Sequence, residues 1–332
     1  HTNQMSQILT YLTPLLVPKI LTTDSILMIA SGDLRAYLRG LSHQVWTDQN
    51  DAIQHGFCLQ EETITEMLLL RMARDLSPLG LKMKMFNKYE EGGKTKKDGT
   101  VVKVGNGADW EWFVELADCK IGFRVQAKRL FPSPTKPGAY DSFHAGGKQI
   151  DQLINAAGKM NPVYVLYNHK FTKDASLFSR TVKTNWYGRS SRRCSVATAA
   201  FMKTLKTNKL AEVFPGTVPW HRFFAVGNHS VRGCAVERMM KNMSGGQEFK
   251  TTDDRPDWVD DLLSLETPIP SANEGIEEQP SERPQDGQPS EAGPVSTPDQ
   301  SYEARRGRLT DLLSERELQG VAYFDFTNFQ GD

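Results

Sequence analysis

The sequence has little of what marks a secreted, membrane-spanning or zinc-binding protein. Its cysteines are scattered without a Cys-x-x-Cys pair, so neither a disulfide framework nor a zinc ribbon is predicted. They are Cys58, Cys119, Cys194 and Cys234. No apolar run approaches the length of a membrane span, and the first residues lack a basic-then-apolar signal pattern. These absences predict a cytoplasmic protein without a membrane partner.

The whole chain also lacks a net charge, but its basic and acidic residues are unevenly distributed along the sequence. Residues 253–303 contain 14 acids against two arginines, and residues 304–332 contain five acids against four arginines. Because the chain has 40 basic and 40 acidic residues, residues 1–252 carry an excess of 13 positive charges. A basic body with an acidic tail is typical of a polyanion-binding domain with an attached competitor. An acidic tail that only keeps the protein in solution is the equal alternative.

The hydrophobic pattern predicts an α/β fold. Apolar clusters at helical spacing in residues 5–50 predict short helices, and EETITEMLLLRMARDL from residue 61 predicts a longer one with acids in its first turn. Residues 81–89 alternate like a half-buried strand, and a hairpin follows. KQIDQLINAAGKM predicts a further helix, and residues 163–167 form an apolar strand. The predicted order is helix, three strands, helix, strand.

The composition changes abruptly after residue 251. Residues 268–298 are rich in proline, glutamate, serine, glutamine and glycine without periodicity, which predicts disorder. Two amphipathic islands interrupt this region, PDWVDDLLSL at 256–265 and a helix-plus-aromatic segment at 308–329. Such pieces on a flexible linker are expected to dock on their own body or on a protein partner.

The hairpin GADWEWFVELADCKIGFRVQAK at residues 107–128 contains the most informative pattern. Alternation sends Asp109 and Glu111 to one face of a strand and the two tryptophans to the other, and the next strand does the same with Gln126 and Lys128. Two carboxylates, an amide and an ammonium should therefore meet at one edge. This set suits a hard divalent cation beside an attacked phosphate. A hairpin with solvated charges is the alternative, but QAK lies inside an apolar strand.

An aspartate, a second carboxylate and a Gln-x-Lys tripeptide on the following strand resemble the PD-(D/E)xK nuclease superfamily. More narrowly, they resemble its glutamine (QxK) variant, as in Mrr-like restriction endonucleases, over roughly residues 60–170. The resemblance implies a restriction-endonuclease-like αβββαβ core with a mixed central sheet, to which the sequence pattern adds extra helices at both ends and a disordered acidic tail. In that superfamily the helix before the strands often supplies an acid to the metal, which nominates Glu62. Acids in a first helical turn also occur for dipole reasons alone.

The composition and the resemblance together predict a domain plan. Residues 1–60 would be a helical lead-in, 61–250 the nuclease domain, 251–305 an acidic linker and 306–332 a C-terminal docking segment. The expected function is a metal-dependent DNA endonuclease of a bacterial defence or restriction system, with RNA as an alternative substrate and the oligomeric state left open. Asp109, Glu111 and Glu62 would ligate Mg²⁺, or Mn²⁺ in its place. Gln126 and Lys128 would complete the catalytic set.

Two basic segments are candidate nucleic-acid contacts. The first is the glycine- and lysine-rich loop EEGGKTKKDGT, and the second is TNWYGRSSRR, in which aromatics lie among arginines. Plain basic surface loops are the alternative for both. The candidate residues are Lys94, Lys96, Lys97, Arg189, Arg192 and Arg193.

The competing function belongs to a different class, a nucleic-acid-binding or adaptor module on a decayed nuclease fold that acts through the C-terminal islands. Retention of both acids and the lysine argues against decay. The acidic tail itself has two interpretations. It either restrains the nuclease, so that deleting residues 253–332 speeds cleavage, or it recruits a separate protein.

Overall fold

The computed structural model describes residues 31–77, 81–85, 108–116, 119–140, 148–178, 192–224, 234, 236–237, 249–265, 300–316, 318 and 320–327. The strands are β1 (Leu81–Met85), β2 (Trp110–Leu116), β3 (Lys120–Arg129), β4 (Asn161–Tyr167), β5 (Cys194–Thr198), β6 (Val218–Pro219) and β7 (Gly320–Phe326). The helices are α1 (Ser31–Gln54), α2 (Glu61–Leu76), α3 (Lys148–Asn155), α4 (Ala199–Thr204), α5 (Leu210–Val213), α6 (Asp257–Ser264) and α7 (Gln300–Glu315). Short 3₁₀ turns occupy Ala175–Phe178, Phe214–Gly216 and Trp220–Phe224.

All seven strands join one open, mixed sheet in the order β1-β7-β2-β3-β4-β5-β6. β2 and β3 form an antiparallel hairpin, whereas β4 lies parallel to β3 and β7 lies parallel to β2. Parallel neighbours require crossover connections over the faces of a sheet, so helices cover both sides. The α/β class expected from the sequence is therefore confirmed.

The two faces of the sheet bury separate apolar clusters. Trp110 and Trp112 of β2 face the cluster that contains side chains of α1 and α2. Phe113 of β2 faces the cluster that contains side chains of α3, α6 and α7. Every residue of β2 is buried, as expected for a strand covered on both faces. Any polar side chain on β2 or β3 consequently needs a partner inside the protein.

The strand β7 makes the topology of this sheet different from a simple meander of β1, β2 and β3. It pairs antiparallel with β1 and parallel with β2, so the C-terminal island lies between the first two predicted strands. Helix α6 from the other island buries Trp258 and Leu262 in the second cluster. The two islands are thus part of the sheet and its helical cover. Residues 268–298, predicted to be disordered, lie outside the described residues.

One disulfide joins Cys119, in the β2–β3 turn, to Cys234, with a Cα–Cα distance of 5.4 Å. That distance lies within the ordinary range for a disulfide. The prediction of no disulfide, based on scattered cysteines, is therefore wrong for this pair. The two cysteines are 115 residues apart and only the fold brings them together, so their spacing held no signal.

Within the described part of the chain, no helix combines the length and the apolar character that crossing a membrane requires.

Candidate active site

Asp109 immediately precedes β2 and lies beside the carboxyl-terminal half of β3. Its backbone N–H donates to the O atom of Val125 at 2.8 Å, and Val125 is also the register partner of Trp110. Its Oδ2 accepts two hydrogen bonds of 2.7 Å, from the backbone N–H of Ala127 and from Nε2 of Gln126. Oδ1 accepts no hydrogen bond from any residue that the structure describes. The carboxylate is therefore fixed by one oxygen and offers the other.

Gln126 connects this carboxylate to helix α3. Its Nε2 lies 2.7 Å from Asp109 Oδ2 and 3.2 Å from Ala127 O, and its Oε1 accepts from Gln149 Nε2 at 3.1 Å. Because Gln126 is only 4% exposed, these partners satisfy an amide that burial would otherwise penalise. The amide is therefore held in one orientation, with its nitrogen towards Asp109.

Lys128 follows on the same face of β3 and meets the first turn of α2. Its Nζ lies 3.7 Å from Oε1 of Glu61, and the backbone N–H of Arg129 donates to Oε2 of Glu61 at 3.2 Å. Lys128 is 7% exposed, so its ammonium depends on a nearby opposite charge. The carboxylate of Glu61 is further stabilised because negative charges are favoured at helix N-termini. The pair locks the start of α2 to the end of β3.

The surroundings of Asp109 oppose its ionisation. Its pKa is raised to about 6, mainly by burial and in smaller part by the negative charge of Glu62. The Ala127 amide, the charge of Lys128 and the Gln126 amide act in the opposite direction but do not cancel the effect of burial. A carboxylate held at such a cost is typical of functional sites, where a bound cation removes the penalty.

We expect Asp109→Asn to stabilise the protein in EDTA at about pH 8, by on the order of 1–3 kcal/mol. A carboxyl whose pKa is raised in the folded state binds its proton more tightly there than when unfolded. Ionisation therefore removes stability as the pH rises through about 6. Asparagine can keep both hydrogen bonds through its carbonyl oxygen and has no charge to desolvate. Thermal unfolding of both proteins across this pH range measures the difference, which should vanish near pH 4.

Asp254→Asn is the matched control, because a hydrogen bond from Lys159 lowers the pKa of Asp254. Removing that carboxylate should not stabilise the protein at any pH. A loss of stability in Asp109→Asn at about pH 8 would contradict the expected desolvation cost.

Of the two acids that begin α2, the sequence nominated Glu62 and did not single out Glu61. Glu62 is exposed, but its charge raises the pKa of Asp109, so it lies within electrostatic range of the site. Glu61 makes the contacts with Lys128 and Arg129. Neighbouring residues on a helix point about 100° apart. The rotation of α2 about its axis decides which of them reaches β3, and a single sequence does not fix that rotation.

Glu111 lies on the predicted face of β2 but in a different environment. It is opposite Arg124, two positions along the strand from Asp109, and it is 0% exposed. Its Oε1 accepts from Arg124 at 2.6 Å, and its Oε2 accepts from Trp258 Nε1 at 2.9 Å and from Arg316 at 3.3 Å. Both oxygens are thus used inside the protein. Glu111 therefore holds α6 and the end of α7 against the sheet, and its metal-ligand role stays a prediction from the resemblance.

The predicted nucleic-acid contacts divide into two groups. Lys94, Lys96, Lys97 and Arg189 lie outside the described residues. Arg192 is 8% exposed, donates to Phe214 O at 3.1 Å and lies over the Phe214 ring. Arg193 lies over the Trp46 ring and contacts His43. The Arg192 guanidinium thus packs against Phe214, and contact of Arg192 or Arg193 with nucleic acid stays a prediction.

The donors around Asp109 suit a hard cation. The open Oδ1 and the nearby Glu62 carboxylate are oxygen ligands, which Mg²⁺ prefers over nitrogen or sulfur. Among the described residues no three acidic, histidine or cysteine side chains come together as a complete metal cage. Mg²⁺ commonly binds through one or two carboxylates, with water and substrate phosphates completing its shell. The residues therefore fit an ion that is held jointly with a phosphate.

These contacts define an α/β protein with a carboxylate, a glutamine amide and a lysine gathered at the carboxyl end of a central strand. The chain belongs to DUF6615, a family of unknown function, whose model matches residues 34–285. No curated protein and no solved structure matches the chain.

Proposed function

We propose that the protein is a metal-dependent nuclease that hydrolyses phosphodiester bonds, with DNA as the expected substrate. One observation carries the proposal. Asp109 has a raised pKa and an oxygen, Oδ1, that accepts no hydrogen bond from the described residues, and it lies at the same end of the sheet as the buried ammonium of Lys128. A carboxylate that is costly to keep ionised favours binding of a metal cation. A fixed ammonium can stabilise the negative charge that develops on a phosphate. The aspartate and the Gln-x-Lys tripeptide resembling PD-(D/E)xK nucleases contribute these groups.

Each residue of the site has a defined part in this proposal. Asp109 would hold Mg²⁺ through Oδ1, with Glu62 as a second carboxylate, and the ion when bound supplies Lewis-acid chemistry at the phosphate. Gln126 donates to Oδ2 of Asp109 and so would leave Oδ1 for the metal ion. Lys128 would stabilise the negative charge that develops on the phosphate oxygens. Glu61 orients the ammonium group of Lys128.

The fold supports the same proposal at a coarser level. The order α2, β1, β2, β3, α3, β4 follows the αβββαβ succession of restriction-endonuclease-like cores. The difference is β7, which lies between β1 and β2. That insertion is on the far side of β2 from β3, so it leaves the Asp109–Gln126–Lys128 edge intact. The role in bacterial defence rests on the family resemblance alone.

The decisive experiment incubates the purified chain with single-stranded, duplex and plasmid DNA and with RNA, in Mg²⁺ or Mn²⁺ and in EDTA. Cleavage that needs the metal and is lost in Asp109→Ala supports the proposal. Metal-independent cleavage, or equal cleavage by a folded Asp109→Ala protein, would reject it. Tight nucleic-acid binding with no cleavage under any condition would favour the binding module on a decayed nuclease fold.

Gln126→Glu tests the metal site without relying on cleavage. Replacing the amide by a carboxylate puts a second negative charge where Nε2 now lies 2.7 Å from Asp109 Oδ2. Like charges at this distance destabilise each other unless a cation lies between them. We expect a lower unfolding temperature than wild type in EDTA and a larger rise when Mg²⁺ is added. Differential scanning fluorimetry over an Mg²⁺ series measures both effects.

Gln149→Glu is the control for that experiment, since it adds the same charge on the other side of Gln126, away from the Asp109 hydrogen bond. The rise in unfolding temperature on adding Mg²⁺ should be smaller for Gln149→Glu than for Gln126→Glu. An Mg²⁺ response in Gln126→Glu no larger than that of wild type would argue against a cation at Asp109.

A further inference from the structure

The end of the sheet at which Lys128 lies, the carboxyl end of β3, also carries exposed aromatic rings. Of the described residues, three large apolar side chains are strongly exposed, and two of them, Phe57 at 69% and Phe131 at 40%, lie on loops at this end. Phe57 precedes α2, and Phe131 follows β3. The third, Leu70, is on the outer surface of α2. An exposed aromatic ring forgoes the stabilisation that burial in the core would give. The position of such rings is therefore informative about binding surfaces.

Arg129 connects the two rings. Its guanidinium lies 5.1 Å from the centre of the Phe131 ring. The same group donates to Cys58 Sγ at 2.6 Å and to Leu59 O at 3.3 Å, directly after Phe57. A cation over an aromatic ring is a stable arrangement that leaves the other face of the ring open to a ligand. The two loops are thus joined by one arginine that neighbours Lys128.

Both rings stand on fixed backbone. Gly56 has a φ of 81°, a left-handed conformation that favours glycine, and it reverses the chain where α1 ends. The N–H of Phe57 then donates to Ala52 O at 2.8 Å, and the N–H of Phe131 donates to Ala139 O at 2.9 Å. Aromatic side chains on a rigid backbone lose little entropy when a ligand stacks on them.

The charges around the rings favour an anion. Beyond Arg129, the exposed lysines Lys136, Lys170 and Lys173 lie on two loops that are hydrogen-bonded to each other. Lys170 lies over the ring of Phe171 at 5.3 Å. The carboxylate of Asp174 on these loops accepts from the Gly138 N–H. Aromatic rings interleaved with several cations are the usual surface for single-stranded nucleic acid, in which bases stack and phosphates pair.

We propose that Phe57, Arg129 and Phe131 form a stacking platform for unpaired bases, so that the nuclease site takes single-stranded nucleic acid or the unpaired end of a duplex. This inference rests on the proposed function, because it assumes that the phosphate lies at Lys128. Bases inside a duplex already stack on each other and have no free face for the rings. Lys128 and Phe131 are three residues apart, so their Cα atoms lie within about 11 Å. A base on Phe131 therefore belongs to a nucleotide close to the reacting phosphate.

The test measures binding of the full chain in EDTA, where cleavage does not interfere. Fluorescence anisotropy with labelled single-stranded DNA, single-stranded RNA and a blunt duplex gives the affinities. We expect single strands to bind more tightly than the duplex. The double variant Phe57→Ala/Phe131→Ala should weaken single-strand binding by about tenfold or more and change duplex binding little. The matched control is Leu70→Ala, which removes an equally exposed apolar side chain and should change neither.

A single strand containing 2-aminopurine adds a direct readout, because its fluorescence is quenched when the base stacks. Quenching by wild type that is lost in the double variant supports the platform. Equal affinity for duplex and single strand, or unchanged binding in the double variant, overturns it. The stronger of the DNA and RNA arms identifies the preferred nucleic acid.

The outcomes for the platform and for the nuclease are separable. Binding that depends on both phenylalanines, without metal-dependent cleavage, would leave the platform standing and reject the nuclease. Metal-dependent cleavage of single strands that is unaffected in the double variant would support the nuclease and reject the platform.

Discussion

Lys128→Ala is expected to reduce metal-dependent cleavage by about 10²–10³-fold, the usual cost of removing one group that stabilises charge in a transition state. The Lys128 ammonium is 7% exposed and 3.7 Å from Glu61, so it is held in position before a substrate arrives. Initial cleavage rates on a labelled oligonucleotide in Mg²⁺ measure the loss. The loss should appear in the maximal rate more than in the substrate concentration needed to reach it, since the charge on phosphate grows during the reaction.

The other end of the same strand provides the matched control. Lys120 begins β3 as Lys128 nearly ends it, and its Nζ lies 3.8 Å from Glu115. Lys120→Ala also removes a lysine of β3 that has a glutamate partner at a similar distance, but this lysine lies away from the proposed site. The Lys120→Ala protein should therefore cleave like wild type. Lys128→Met keeps the apolar stem without the charge and should be as inactive as Lys128→Ala. A folded Lys128→Met protein with wild-type rates would exclude the lysine from the reaction.

The sequence predicted which face of the β2–β3 hairpin each side chain occupies, but not how deeply each side chain is buried. Alternation correctly separates the tryptophans of β2 from Glu111. It does not show that Arg124, Trp258 and Arg316 enclose the Glu111 carboxylate, because two of these partners are more than 100 residues away in sequence. A period-two pattern contains information about direction only. Which charges become internal depends on what packs over them.

Long-range pairing also explains why the sequence predicted docking of the C-terminal segment but not its place in the sheet. The sequence GVAYFDF is apolar and β-prone, which predicts a strand but not its neighbours. Its partners, β1 and β2, lie more than 200 residues earlier. An acidic linker preceding such a strand suggests a detachable segment, yet a linker of any composition can return the chain to a central position in a sheet. Charge opposition between body and tail was therefore a weaker guide than the apolar content of the tail itself.

The embedded position of β7 leads to the largest expected effect on stability. Phe324 is 0% exposed, packs edge-on against Trp112 and lies between Leu81 of β1 and Val114 of β2 in the sheet register. Phe324→Ala should lower the free energy of unfolding by about 3–5 kcal/mol, through lost burial and the cavity that remains. Urea unfolding followed by tryptophan fluorescence measures the change. Phe131→Ala, the same substitution at an exposed ring, should stay within about 0.5 kcal/mol of wild type.

The same packing changes the expected result of removing the tail. Deleting residues 253–332 would take away β7, expose the facing edges of β1 and β2 and leave the buried Glu111 without Trp258 and Arg316. An unpaired sheet edge and an uncompensated buried charge both favour unfolding and aggregation. We therefore expect the truncated protein to be insoluble or unfolded. A folded, faster-cleaving truncation, together with a Phe324→Ala protein as stable as wild type, would show instead that the tail is a removable competitor.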